Sequence, residues 1–350
     1  MSGVVHRPGT TRCAQYGGST ILERMEISDL LDGRLFTIAG AVDGGVRRSA
    51  ARSLVDTGQV RPVLRDVYVA AAVPDDLGLR ARAASLVMPP HAVVCDRSAA
   101  WLWGIDLLDF AELDLPPRLD VVSFGGKDGS HRQDVFGGKR CLAPDEITQV
   151  RGICVTTPIR TACDIACLRE RYRALAALDA FRREFAISQA ELAAYVARFR
   201  GRRGVIQLRQ MVALSKDGVD SQPESWVRLM IHDVGLPIPA DQVWVQVPGW
   251  GWVRMENAYE HLRIAVEYDG EEFHTSEDDR ERDRLRREAL AAIGWVVIVV
   301  RKADLSASAR TTWLSQLDQE IDLRKPAAHS KRIFARGPDL YVPRGPRRRR

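Results

Sequence analysis

Apolar residues recur near helix spacing at Ile21, Leu22, Met25, Leu30 and Leu31, and predict a first helix. A short segment, 36–42, follows and ends at Asp43-Gly44-Gly45, a strong turn signal. Residues 46–57 again carry helical periodicity, with Gly58 placed to stop it. Residues 60–69 alternate as two short strands around a turn. Beyond about residue 76 the pattern alternates between helix and strand. A helix start is predicted at 96 with Ser98 as its cap, a strand at 119–123, and a turn into a helix with Pro158 near its first position. Helices are predicted at 174–185 and 188–199, and the polar run 215–221 reads as a linker.

After the linker, Trp226, Val227, Met230, Ile231 and Val234 form the inward stripe of a helix that begins at Gln222. Strands are predicted at 251–259 and 263–269. A charged helix then runs from about 275, with Ser276 and Asp279 as a capping box and Leu285, Ala289 and Ala292 facing inward. Gly294 ends it, and 295–300 is a buried strand. The fold class expected is α/β in a multidomain α+β arrangement. Its parts are 1–20 (Gly- and Thr-rich, without periodicity, expected disordered), 21–75, 76–214, 220–322 and a basic tail at 323–350.

Helix, helix, Gly turn, basic helix and β-wing is the order of a winged helix-turn-helix. On that reading Arg47, Arg48 and Arg52 face the DNA major groove, and Arg61 and Arg65 lie on the wing near phosphates. The competing reading is that these arginines only solvate a small helical domain. In the middle region no catalytic constellation is visible, and Asp164, Arg160 and His131 read as a structural polar set.

Composition narrows the classes. Hydrophobic content of 45% and charged content of 28% are those of a globular protein, and apolar runs such as 295–300 are far too short to span a membrane. The start lacks the apolar core of a secretory signal, so a cytoplasmic location is expected. The six cysteines contain no CxxC pair, and Cys163 and Cys167, one helical turn apart among apolar neighbours, read as buried free thiols rather than a metal pair. The net charge of +5 is a mild pointer to DNA, and part of it comes from the Arg-rich tail.

The chemistry-bearing pattern is C-terminal. Glu224 is on the apolar side of a helix near its N-terminus, where the dipole also favours it. Glu256 is on the first strand. Glu267 and Asp269, two apart on the second strand, project from one face. Two carboxylates on one face of an apolar strand need a counter-charge, and a divalent cation such as Mg²⁺ or Mn²⁺ at Glu267 and Asp269 is one solution. Neutralisation by an arginine such as Arg254 is the other. Arg280, Arg284 and Arg287 on the charged helix suit a phosphate backbone, or an i,i+4 salt-bridged solvent face.

Glu224, Glu256, the run Val266-Glu-Tyr-Asp-Gly270, His274 and Gly294-Trp-Val-Val297 occur in the order of endonuclease-like domains. That stretch of about 100 residues resembles the relatives of very-short-patch repair endonucleases, within the PD-(D/E)XK superfamily. The N-terminal unit, with Ser98-Ala-Ala-Trp-Leu-Trp-Gly104 and Thr156-Thr-Pro-Ile-Arg-Thr-Ala-Cys-Asp-Ile-Ala166, resembles the AbiEi-type antitoxin region that precedes such domains in actinobacterial proteins. The resemblance implies Glu224 as the helix acid, Glu256 and Glu267 as metal ligands, Asp269 in the place of the usual lysine, and His274 as general base or as stabiliser of the leaving group. Two departures stand out: Glu256 is one methylene longer than the usual aspartate, and the lysine is missing.

Two functions follow as expectations. One is a DNA-binding protein whose C-terminal domain hydrolyses phosphodiester bonds with a metal ion. The other is a transcriptional regulator or antitoxin-like protein, with DNA and a toxin or repair protein as partners, whose nuclease fold does not cleave.

Overall fold

The computed structural model describes residues 25–88, 92–107, 119–123, 135–270 and 277–325. The expected disordered start, the basic tail beyond 325, His131 and the Ser276 end of the predicted capping box lie outside these residues. Its contacts divide the chain into two compact units, 1–233 and 234–350.

In the first unit a 3₁₀ turn, Ile27–Leu30, precedes α1 (Ile38–Asp43) and α2 (Arg48–Asp56). Thr37 caps α1, its hydroxyl accepting the Gly40 N–H at 2.9 Å. Leu30, Phe36, Ala41, Val46, Ala51, Leu54 and Val60 form one small core. Of the helix expected at the chain start, the described residues form only the 3₁₀ turn, with Leu30 in the core and Leu31 exposed, while Ile21 and Leu22 lie outside the described residues. The antiparallel hairpin of β1 (Val60–Leu64) and β2 (Val67–Ala70) turns through Asp66, whose φ is 62°. Backbone bonds in both directions between Phe36 and Tyr68 fasten the hairpin to the start of the unit.

Next come α3 (Leu77–Val87), β3 (Ala92–Val94), α4 (Asp96–Leu102), β4 (Leu119–Ser123), β5 (Val135–Lys139), β6 (Ile147–Val150) and β7 (Ile153–Thr156). The five strands form a mixed sheet in the order β5-β4-β3-β7-β6, parallel at β3–β7 and β4–β5. Helices α5 (Pro158–Leu168), α6 (Arg171–Phe185), α7 (Gln189–Tyr195) and α8 (Val205–Leu214) follow, with Leu175, Leu178, Phe181, Leu208 and Met211 in their core. Pro158 opens α5 as expected, where its missing N–H costs nothing. Ser98 does not cap α4. It is buried within the helix, and its hydroxyl accepts the Asp120 N–H at 2.7 Å, fixing the helix to β4.

Helix α9 (Gln222–Asp233), which the sequence groups with the C-terminal region, packs on α6. The reason is a buried polar clamp. Asp179 of α6 accepts from Ser225 Oγ at 2.6 Å, from the Lys216 N–H at 2.7 Å, and from the Arg228 guanidinium. The helix is therefore covered nearly all round, with Arg228 as deep as Leu229, rather than along one stripe; Val234 is exposed.

The second unit has a four-stranded sheet in the order β11-β10-β9-β8. It comprises β8 (Ala240–Val247), β9 (Gly251–Tyr259), β10 (Ile264–Asp269) and β11 (Val296–Arg301). β8, β9 and β10 are antiparallel neighbours, whereas β10 and β11 run parallel, joined through α10 (Glu277–Ala292). Leu290 of α10 and Ala265 share one cluster, while Leu285 and Ala292, both expected inward, are exposed. Helix α11 (Arg310–Arg324) buries Trp313, Leu317 and Ile321, and Arg324 donates to the carbonyls of Leu262 and Gly294.

Candidate functional site

Three polar assemblies stand out. The first is the solvent face of α2. Ala51 and Leu54 turn into the core, which leaves Arg48 and Arg52 exposed one turn apart, with Arg47 exposed at the N-cap position. Arg65 is exposed in the hairpin turn. Arg61 is used differently: its guanidinium donates to the Val73 carbonyl at 2.7 Å and holds the chain that leaves β2.

The second is a buried ion network across α4, α5 and the sheet. Arg160 is fully buried and lies between Glu146 (2.5 Å) and Asp164 (2.7 Å). Arg140 bridges Asp164 (2.9 Å) to Asp96 (2.9 Å), and Tyr195 donates to Glu146 at 2.9 Å. Burial opposes the charge on both arginines, but their carboxylate partners outweigh it and raise their pKa values. Burial also pushes Glu146 up, yet the Ala143 N–H, Tyr195 and the two arginines Arg160 and Arg198 hold it, on balance, below its usual range. Asp120, buried and facing the Asp96 charge, is pushed up to about 6. The Asp164–Arg160 pair expected from sequence is thus the centre of a scaffold, and Arg140, Glu146 and Asp96 are the members that sequence reasoning missed. Nearby, burial raises the Cys163 and Cys167 thiols, Cys167 to about 11, so neither offers a thiolate at neutral pH.

The third is the acid face of the second unit. Residues opposite each other in a ladder share a face, and the register pairs Ala258 with Ala265 and Arg254 with Trp244. Counting in twos, Trp252, Arg254 and Glu256 share a face with Trp244, Gln246, Glu267 and Asp269. The expected acids of β9 and β10 do come together, but each is already engaged. Glu267 faces a guanidinium, with Arg286 Nη2 at 2.7 Å and Nη1 at 3.2 Å. Glu256 accepts the Tyr268 N–H at 2.7 Å, two residues beyond the last β9–β10 pair, Asn257–Val266. Asp269 has Arg301 Nε at 3.7 Å. Asp283 and Glu256 add to the negative field on Arg286, whose pKa rises against the effect of its burial.

Glu224 belongs to the first unit. Its carboxylate accepts from Ser221 Oγ at 2.9 Å and from the Asp220 N–H at 3.3 Å, a capping arrangement at the start of α9. His274, the expected base, lies outside the described residues, as does the side chain of Arg280. Arg287 is half-buried on α10, and Arg284 is tied to Glu281 and Glu288 in a surface ladder.

The Mg²⁺ or Mn²⁺ implied by the endonuclease resemblance has a clear requirement: several hard oxygens open to one point. The described residues do not fit it as arranged. The Arg286 guanidinium is hydrogen-bonded to both oxygens of Glu267, and among the described residues no group of three metal-capable side chains is assembled.

Residues 92–214 match the family model of the AbiEi antitoxin C-terminal domain, which runs from the first residue of β3 to the last of α8. Uncharacterized protein Rv2248 of Mycobacterium tuberculosis strain H37Rv is 32% identical over 247 residues, 70% of this chain and 87% of that protein. Uncharacterized protein MT2308 of strain CDC 1551 gives the same figures. The buried network lies within the matched region, and the chain belongs to the family of these mycobacterial proteins, its central part being similar to the AbiEi antitoxin C-terminal domain.

Proposed function

We propose that the protein is a DNA-binding, antitoxin-like regulator in which residues 25–73 act as a winged helix-turn-helix. The observation that carries this reading is the α2 face, where Arg47, Arg48 and Arg52 are exposed beside a two-stranded hairpin. A helix of this kind places its guanidiniums on phosphates and guanine edges in the major groove. The AbiEi match supports the antitoxin part, with a toxin protein as the partner of the central domain. Fluorescence anisotropy on a labelled duplex tests the DNA part. Changing Arg47, Arg48 and Arg52 together to Ala is expected to weaken binding and to reduce the slope of log K against log salt by about 3, one per lost phosphate contact. An unchanged slope removes α2 from the interface.

The acid face supports regulation better than hydrolysis, because Arg286 supplies the positive charge that a metal-dependent nuclease takes from its ion. Supercoiled plasmid incubated with millimolar Mg²⁺ or Mn²⁺ is therefore expected to stay intact. Metal-dependent nicking that vanishes in Glu267→Ala establishes the nuclease reading instead.

A further inference from the structure

We infer that the outward face of the β8–β9 hairpin, built from Trp244, Gln246, Trp252 and Arg254, is a stacking platform for unpaired bases of a nucleic-acid strand. Large aromatic side chains normally hide, yet Trp244 is 58% exposed and Trp252 65% exposed. Both belong to one short hairpin, and the register explains why they act together. Trp244 lies opposite Arg254 and Gln246 opposite Trp252, so the two indoles are diagonal neighbours on the same face. Diagonal neighbours in a sheet are roughly 7–8 Å apart, close enough for adjacent bases of an extended strand to rest on one indole each.

Composition decides between possible occupants. Here the two rings are interleaved with a guanidinium and an amide. The Arg254 guanidinium lies 6.0 Å from the centre of the Trp244 ring, at the outer reach of a cation–π contact, and puts a positive charge beside the indole. Gln246 presents both donors and an acceptor to base edges. Every base has a π-face, so such a platform tolerates sequence and favours single strands, in which the bases are free to splay. The inward side of the same hairpin, with Val247, Val253 and Met255 buried, holds the platform rigid. Among the described residues β8 is also the last strand of its sheet.

This surface is independent of α2, and the two can be told apart. The full chain is titrated against a fluorescein-labelled oligothymidine and against a duplex of the same length. Indole fluorescence quenching is recorded alongside anisotropy. Saturable binding of oligothymidine with quenching is expected. In the combined variant Trp244→Ala, Trp252→Ala it should fall about tenfold or more, since each lost stack accounts for at least several-fold. Trp244→Phe with Trp252→Phe keeps an aromatic face and should retain most of the affinity, which separates stacking from a folding defect. The α2 triple variant should lose duplex affinity and keep the oligothymidine. If the wild-type chain does not bind the oligonucleotide, or if the double Ala variant binds it unchanged, the platform is refuted, whatever the duplex result. Concentration-dependent self-association that the Ala pair abolishes, without oligonucleotide binding, refutes it in favour of a protein contact.

Discussion

Replacing Arg160 with Met is expected to lower the stability of the first unit by about 3–5 kcal/mol, measured by urea denaturation and by thermal melting. The side chain is fully buried, and its two partners, Glu146 and Asp164, are themselves almost inaccessible. Methionine fills a similar volume, so the change removes charge and hydrogen bonds with little loss of packing. It leaves Glu146 with the Ala143 N–H, Tyr195 and the more distant Arg198, and Asp164 with Arg140 alone. Two carboxylates that shared a buried cation must then bear their desolvation less well compensated. Asp164 is already raised by burial despite two arginines, and losing one raises it further. A carboxyl whose folded pKa exceeds its unfolded one binds protons more tightly when folded. Its contribution is present at low pH and is lost as pH rises through the folded value. The gap between variant and wild type should therefore narrow on acidification. Arg160→Lys keeps the charge but not the two-pronged geometry and should fall between the two. A loss below about 1 kcal/mol, or a gap independent of pH, contradicts this account of the network.

Period-two alternation made β9 and β10 legible, because side chains two apart on a strand share a face whatever the tertiary context, whereas β8 was not read from the sequence. β9 was read with the bounds observed, and the shared face of Glu267 and Asp269 follows from the same rule. What could not be read was the partner. Arg286 is 19 residues from Glu267, on a helix that also carries Arg280, Arg282, Arg284 and Arg287, and only packing selects the one that reaches the sheet. Arg254, the arginine suggested by proximity in sequence, is instead opposite Trp244. Helix α9 shows the same limit. Its apolar stripe was visible, but Arg228 reads as a solvent-facing residue until Asp179 of another helix is brought beside it. Ser98 carried a capping signal, yet the Asp120 N–H claimed its hydroxyl. Local patterns specify faces and ends; the choice among equivalent charged partners is made by the third dimension.

Arg286→Met is expected to destabilise the second unit by about 2–4 kcal/mol, less than Arg160→Met because this pair is partly open to solvent. Its removal leaves Glu267 nearly buried, with Glu256 and Asp283 close enough to have shaped the field on the lost guanidinium. The repulsion among these acids was balanced by one cation. If that balance is the purpose of the arrangement, a second change should restore what the first removed. Glu267→Gln in the Arg286→Met background takes out the least accessible charge, and stability is expected to recover by more than half. The coupling between the two positions in a double-mutant cycle should then be about 1–3 kcal/mol. Millimolar Mg²⁺ is expected to leave the melting temperature of the wild-type chain unchanged, since Arg286 already neutralises the site. A cation-dependent rise in the wild-type melting temperature, lost in Glu267→Gln, shows instead that the arginine yields to the metal, and returns these carboxylates to the ligand role that their spacing first suggested.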